Sequence, residues 1–372
     1  MTRDDIYEQV IKEDFNRTEH ETLDKLVRNA IRIGEEMKGD YVRLRQLTHE
    51  FTEVLTRQGM LMMNEFKSEE LTALASRAAS ASDGSFQSVG GADGKWYVPI
   101  SAALIVFLDG ISRSPKVEVG AEILTIDERE HHNIGGAMEA SMLYAEATVM
   151  KDWARDCPSN IFHFIDGPVM DPPRQMDDNY VDYRIDAIKS LLNKGTLAVG
   201  CVKKLLGNFL IHRLSEMLPD FEKKRLSEFH SDAYLIYHVL TKVSLSTTAT
   251  LFTKPLEVSV EDPVYKVYKK KGLDIYFMYF QSGPLSRPYR VDIPLLTGKS
   301  VDPDKLGEKI AAVLRAWSYP GYDLPLPIVL ADNKCNIRKG CAEVLYREII
   351  TRAASNDVFD NIVRTKLRTE VA

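Results

Sequence analysis

Between residues 78 and 166 the chain arranges its apolar segments as three extended runs, one long amphipathic run and a fourth, short extended run. This order constrains the fold more than any other feature. Ala78 to Phe86, Lys95 to Leu108 and Lys116 to Ile126 read as strands, separated by the turn signals Gly90-Gly91-Ala92-Asp93-Gly94 and Asp109-Gly110, so three successive strands make a meander. Asn133 to Arg155 reads as a helix, with Met138, Met142, Ala145, Val149 and Trp153 at helical spacing and expected to face the sheet. Ile161-Phe162-His163-Phe164-Ile165 is then a compact apolar strand running into Asp166.

Acids fall at telling places in this frame. Asp83-Gly84 and Asp166-Gly167 each read as a carboxylate at a strand's end, followed by a glycine that lets the backbone turn or approach a ligand. A lone Asp-Gly is more often a hairpin turn. Glu146 projects within the apolar stripe of the helix, where a carboxylate needs a cation, a hydrogen-bond network or a raised pKa, unless it lies at the stripe's edge and reaches solvent. Glu139 competes on nearly the same face. The strand into Asp166 climbs about 17 Å at about 3.3 Å per residue. The helix rises roughly 14 Å from Glu146 to Arg155 and roughly 24 Å from Glu139, so Glu146 is expected nearer the level of Asp166. Late in the chain Asp332 is expected to open a final helix from Asn333 to about Ala354, either as its N-cap or as a further ligand. Several acids converging on one point repel one another unless cations sit between them, as in two-metal phosphodiester hydrolysis.

Residues 1 to about 75 alternate charged and apolar positions with helical period, as in Leu23-Leu26-Val27-Ala30-Ile31 and Leu47-Phe51-Val54-Leu55, and predict two or three amphipathic helices. Residues 76–372 are expected to form the main domain. In its later half the texture predicts helices at Tyr180 to Asn193, Lys204 to Met217 and Asp304 to Trp317, and strands at Thr196 to Val202, Ile275 to Phe280 and Tyr289 to Ile293. The stretch from Pro172 to Asp178 and Asp262-Pro263 read as loops. The run Lys266, Lys269, Lys270, Lys271 is either a strand-binding patch or a solvated loop. Tyr276, Phe277, Tyr279 and Phe280 read mostly as core, with an exposed ring able to stack a base.

Composition excludes several classes. With 372 residues and 44% hydrophobic content the chain can bury a full core. A net charge of −6 argues against a protein coated in basic charge, so any nucleic-acid groove must be local. Cys157, Cys201, Cys335 and Cys341 have no zinc-like spacing and indicate no disulfide framework. No run approaches the ~18 apolar residues of a membrane span, so a soluble, cytoplasmic protein with no membrane partner is expected.

The strand order is that of the ribonuclease H-like (PIWI-like) fold, in which acids from the first strand, the helix and the fourth strand meet. With the motifs Asp83-Gly84-Ser85, Phe164-Ile165-Asp166-Gly167-Pro168, Leu143-Tyr144-Ala145-Glu146, Val199-Gly200-Cys201-Val202-Lys203 and Tyr289-Arg290-Val291-Asp292-Ile293-Pro294, the chain resembles the NurA family of DNA-end-processing nucleases. It departs from the family's terminal Tyr-Pro-x-x-Leu-x-x-Ala-His pattern. Asp332 stands where many members have His, and Gly321 shifts the tyrosine register between Tyr319 and Tyr322. The resemblance implies a mixed-sheet α/β core with flanking helices and an N-terminal helical extension. It also implies a Mn²⁺- or Mg²⁺-dependent nuclease with two ions on Asp83, Glu146, Asp166 and Asp332, Lys203 holding a backbone phosphate, a homodimer, and a hexameric HerA-type ATPase as partner on single- and double-stranded DNA ends. The rivals are an actin-like or sugar-kinase-type ATPase, which needs a second Gly-rich phosphate loop that the latter half lacks, and a catalytically silent subunit that clamps DNA or a motor.

Overall fold

His20–Arg57 form one continuous helix, α1, because no proline interrupts the run and each of Gly34 and Gly39 costs a helix interior only about 1 kcal/mol. The Glu19 carboxylate accepts from the Glu21 N–H at its start. Buried positions gather near its two ends, at Leu23 and Val27 and at Leu47, Phe51, Val54 and Leu55. The computed structural model describes residues 19–353 and 367–368, apart from 92–93, 132, 171–177, 206, 285, 300, 320–321 and 339. The loop expected from Pro172 thus lies almost wholly outside the described residues, as do Gly321 and the first 18 residues.

The chain from Gly59 onward is a second compact unit. It begins with a strand the sequence did not predict, β1 (Leu61–Asn64), then α2 (Ser68–Ala75) and the meander β2 (Ala79–Phe86), β3 (Val89–Gly91), β4 (Lys95–Phe107) and β5 (Lys116–Asp127). Helix α3 (Ile134–Asp156) follows, capped by the Asn133 side chain on the Gly136 N–H, and leads to β6 (Phe162–Asp166). After α4 (Asp178–Asn193) and β7 (Leu197–Val202) come three helices, α5 (Phe209–Met217), α6 (Asp220–Leu226) and α7 (Asp232–Ser244). The rest is β8 (Thr250–Thr253), β9 (Leu256–Glu257), α8 (Pro263–Lys270), β10 (Leu273–Gln281), β11 (Tyr289–Leu296), α9 (Pro303–Trp317), α10 (Leu326–Cys335), α11 (Cys341–Ala353) and β12 (Leu367–Arg368).

These strands join one mixed sheet in the order β1-β8-β10-β11-β7-β6-β2-β4-β3-β12, with β5 beside β4 and β9 beside β10. Among the described residues only β2–β6 and β6–β7 are parallel, and α4 supplies the crossover that a parallel β6–β7 pair requires. This is the mixed-sheet order with flanking helices expected for a ribonuclease H-like core. One face carries the main apolar layer, where Phe107, Phe164 and Val291 meet Trp317 of α9 and Ile328 and Ala331 of α10. The other face of β2 and β4 is covered by α3, whose Met138 lies among Trp96, Val98 and Ile100.

Strand alternation divides β2 between the two faces. Ser80, Ser82 and Gly84 look toward α3, as the bond from Trp153 Nε1 to Ser80 Oγ (2.9 Å) and the approach of Met142 to Gly84 show. Ala79, Ala81, Asp83 and Ser85 look toward α10 and the residues after it. Buried His163 on β6 takes Ser80 Oγ at 2.9 Å and Ser82 Oγ at 3.3 Å, and burial drives its pKa down to about 3, so it is neutral. No described helix is long and apolar enough to cross a membrane.

Candidate metal centre

Three elements bring three carboxylates to one point. Asp83 lies in the interior of β2, opposite Ala103 of β4, one residue beyond the place where the parallel partner β6 ceases to pair with β2. Asp166 is the last residue of β6, and its chain turns away through Gly167 at φ 103°. Asp332 comes down on α10. One oxygen of each carboxylate lies within 4.8 Å of the others. Lys203, just past β7, reaches across the group, its Nζ 2.7 Å from Asp166 Oδ2 and 3.6 Å from Asp332 Oδ1.

The two Asp-Gly steps therefore do different work. Gly167 makes the expected turn, and it folds tightly onto β7, where a Cβ at Gly200 would meet the Gly167 carbonyl at 2.7 Å. Gly84 makes no turn, since β2 runs on to Phe86. It admits the helix instead: a Cβ there would lie 3.1 Å from Met142 Cγ and 3.7 Å from Glu146 Cβ. Asp83 consequently sits at a strand interior, not at the strand end that its motif predicts.

Like charge dominates the electrostatics. Burial first, then Asp166 and Glu146, push the Asp83 carboxyl up to about 8, against the opposing effects of a Cys335 hydrogen bond and Lys203. Asp166 is also raised, by burial most of all, although Lys203 pulls it down. Burial works against the charge on Lys203, but Asp166, Asp332 and Asp83 outweigh it and hold that pKa above the ordinary lysine value. A set of hard oxygen donors that resist sharing negative charge fits a divalent cation such as Mg²⁺ or Mn²⁺.

Comparison with known proteins identifies the fold's relatives. A family model for the NurA domain matches residues 77–337, which contain β2, α3, β6, β7 and α10 and hence every residue above. The chain belongs to the NurA family. It is similar in fold to the NurA nuclease from Sulfolobus solfataricus, with a TM-score of 0.58 and 15% identity, covering 90% of this chain and 97% of that one. A structure of NurA bound to dAMP and manganese aligns at a TM-score of 0.46 and 12% identity, covering 89% of this chain and 98% of that one. The catalytic domain of human endonuclease V aligns at 0.34 and 14% identity, over 83% and 96% of the two chains. Among curated protein sequences none matches.

Other predicted residues of the NurA region divide into those beside the cluster and those elsewhere. Glu146 is 1% exposed and lies at the centre of the buried face of α3, not at its edge. That face is Met138, Glu146, Ala147, Met150 and Ala154, rotated by about one residue from the predicted stripe. The reason is that α3 is covered on two sides, by the sheet and by α4, where Tyr144 stacks on Tyr183 at 4.5 Å. Glu146 comes to Asp83 from the α3 face of the sheet, so it acts on Asp83 through its charge while its Oε2 lies 3.7 Å from the buried Arg184 guanidinium. Glu139 is only half-buried, two turns earlier.

Asp332 does not cap the last helix. Pro325 is the N-cap of α10, with Pro327 in the first turn where its missing N–H costs nothing, and Asp332 lies near that helix's other end, its carbonyl accepting from Asn336 N. The predicted helix from Asn333 is in fact split, α10 ending at Cys335 and α11 beginning at Cys341. The lysine run is not a loop patch. It lies on and just after α8, with Lys266 on Glu261, Lys269 on Glu257 and Lys271 on Asp182. Phe277, Tyr279 and Phe280 are core, and Tyr276 is half-buried. Tyr319 and Tyr322 are exposed, their rings 6.4 Å apart.

Three neighbours escaped the sequence reading. Cys335 Sγ lies 3.4 Å from Asp83 Oδ2, and burial with the Asp83 charge holds it as a neutral thiol donor. Its spacing of three from Asp332 on one helix face would have flagged it, had the helix been placed correctly. Arg184 donates to the carbonyls of Pro168 (2.8 Å) and Val169 (3.4 Å), and Asp292 Oδ2 accepts from Val169 N at 3.1 Å, so the turn after Asp166 is held from both sides. No sequence signal ties these three positions together.

Proposed function

We propose that the protein is a Mn²⁺- or Mg²⁺-dependent deoxyribonuclease acting on DNA ends, with Asp83, Asp166 and Asp332 holding metal, two ions being bound when Glu146 adds its charge. The observation that carries this reading is the convergence of three carboxylates within 4.8 Å, one of them the buried Asp83 raised to about 8. Family membership supports the same chemistry. When bound, a hard divalent cation supplies positive charge at the scissile phosphate and acidifies water for attack. Lys203 donates to Asp166, pairs electrostatically with Asp332 at 3.6 Å and, with substrate present, donates to a non-bridging phosphate oxygen. Cys335 donates to one oxygen of Asp83 and orients the other. Arg184 places its guanidinium 3.7 Å from the Glu146 carboxylate and fixes the turn that carries Asp166.

A homodimer and a hexameric HerA-type ATPase complete the proposal. An acidic chain with local basic runs is poorly equipped to hold long DNA, because non-specific affinity comes chiefly from phosphate neutralisation. A threading motor removes that need. Leu26, Ile33, Met37 and Tyr41 are exposed on α1 at intervals of seven and four residues, an apolar stripe available for assembly.

Purified protein should degrade linear single- and double-stranded DNA with Mn²⁺ and not with EDTA; inactivity in every divalent metal would overturn the nuclease reading. Light scattering of the protein alone and with the ATPase tests the assembly separately. A monomer that neither co-elutes with the motor nor gains activity from it and ATP would refute the assembly and leave the nuclease standing.

A further inference from the structure

Sharing Lys203 with the acidic cluster is a cavity of about 280 Å³ whose walls include Tyr237, Arg287, Asp323, Leu324 and Val329. Its walls are of two kinds. Leu324, Val329 and the half-buried Tyr237 ring of α7 make an apolar, partly aromatic side. Val329 is three residues before Asp332 on α10, so the apolar wall and the metal-side acid are neighbouring rungs of one helix. Arg287 and Lys203 make a cationic side. The Arg287 side chain is 80% exposed. Its backbone N–H donates to Asp323 Oδ1 at 2.8 Å, and its Nε stands 3.9 Å from Asp323 Oδ2, so Asp323 fixes the segment while the guanidinium charge stays accessible.

A ligand that satisfies both sides needs a flat apolar face and an anionic group leading toward the acids. A nucleotide has both. At about 280 Å³ the space is close to the ~300 Å³ lower end of small-molecule pockets, the size class of a single nucleotide. We propose that this cavity is a single-nucleotide subsite, which takes the unpaired base of the nucleotide beside the scissile phosphate against Tyr237, with Arg287 on the adjoining phosphate. The subsite rests on the nuclease reading above and adds to it a requirement: a DNA end must offer at least one unpaired base to be cut efficiently. Stacking on an aromatic ring tolerates any base, so the subsite selects for single-strandedness and not for sequence.

The test uses full-length protein, a labelled single-stranded oligonucleotide, and the same oligonucleotide with an abasic site at its terminal nucleotide. Cleavage is followed in Mn²⁺ and binding in Ca²⁺. Tyr237→Ala and Arg287→Ala should each raise KM and weaken Ca²⁺-supported binding by about tenfold, with kcat little changed, whereas Tyr237→Phe keeps the ring and should behave as wild type. The abasic substrate should cost wild type a similar factor and cost Tyr237→Ala nothing further. Melting curves confirm that each variant is folded; should Tyr237→Ala fail to fold, Arg287→Ala and the abasic substrate on wild type decide the matter. Wild-type cleavage with unchanged KM in the variants and no discrimination against the abasic end would overturn the subsite alone. A wild type that cuts neither substrate overturns the nuclease reading and the subsite with it.

Discussion

At the level of β2 and β6 four acids, Asp83, Glu146, Asp166 and Asp332, share two cations, Lys203 and Arg184, whereas two strands along, on β11, Asp292 meets one cation of its own. Arg290 binds Asp292 through two nitrogens at 2.7 and 3.1 Å, its guanidinium lies 4.5 Å from the centre of the Phe209 ring, and Asp292 also receives the Val169 N–H. Both groups sit against one sheet, the β11 pair buried and the acidic group open on the side of Asp332 and Lys203. They differ in balance: Arg290 meets Asp292 in a direct two-bond pair, which with the more distant Asp232 raises the Arg290 pKa despite burial, while the acidic group has carboxylates in excess and the Asp83 carboxyl is raised to about 8. A matched buried pair specifies architecture, since removing one partner strands the other. An unmatched group stores repulsion that a bound cation relieves, which is how a site is distinguished from a strut.

Breaking the unmatched group at a ligand has the largest effect. Asp83→Ala, Asp166→Ala and Glu146→Gln should each lower Mn²⁺-dependent cleavage by about a thousandfold or more, equivalent to roughly 4 kcal/mol of transition-state stabilisation, without loss of the folded state. Activity and melting are measured on the same preparations, and wild-type cleavage by Asp83→Ala or Asp166→Ala would sink the ligand assignment. The matched pair should answer in the opposite currency. Asp292→Ala leaves a buried guanidinium without its carboxylate and should cost about 3–5 kcal/mol of stability by denaturant titration. A variant as stable as wild type would show that Arg290 finds another partner.

A sharper test neutralises one acid in each group. A carboxyl raised in the fold binds its proton more tightly folded than unfolded, so the Asp83 contribution to metal-free stability is fully present below about pH 4 and is lost as pH rises toward about 8. Asp83→Asn should therefore stabilise the metal-free protein at pH 7 by on the order of 1–3 kcal/mol, flatten that pH slope, and abolish stabilisation by Mn²⁺. Asp292→Asn should destabilise. Equal signs for the two variants in melting experiments would erase the distinction between the groups. The smallest effect is expected at Glu139→Gln, with cleavage within about twofold of wild type, because Glu139 stands two turns from Glu146 on α3. Loss of activity there, with Glu146→Gln active, would mean that the wrong glutamate has been placed at the site.

Much of this was legible without coordinates, for local reasons. Strand alternation, glycine turns and helical periodicity mark β2, β4, β5, α3 and β6 to within a residue or two, because they depend on neighbours in sequence. The rise per residue of helix against strand was enough to favour Glu146 over Glu139. Misreadings arose where a distant contact decides. Which face of α3 is buried depends on α4 as well as on the sheet, so the apolar stripe was placed about one residue away from the face that is buried. Asp332 was expected to open the last helix, as its cap or as a ligand, yet Pro325 and Pro327 start α10 earlier and carry Asp332 to its far end.

By itself, the sequence determined the order of elements, the acids at Asp83 and Asp166 and the family resemblance, since each is written in contiguous residues. Only the tertiary structure decided that Asp83 lies in a strand interior, that Gly84 admits a helix and makes no turn, and that Cys335, Arg184 and Asp292 hold Asp83 and the turn after Asp166 from three different elements. It also decided which buried charges are matched. The physical reason is range: periodicity and turn chemistry operate over a few residues, whereas the Coulomb field and the desolvation that set a carboxyl's state depend on every group within several ångströms, whatever its place in the chain.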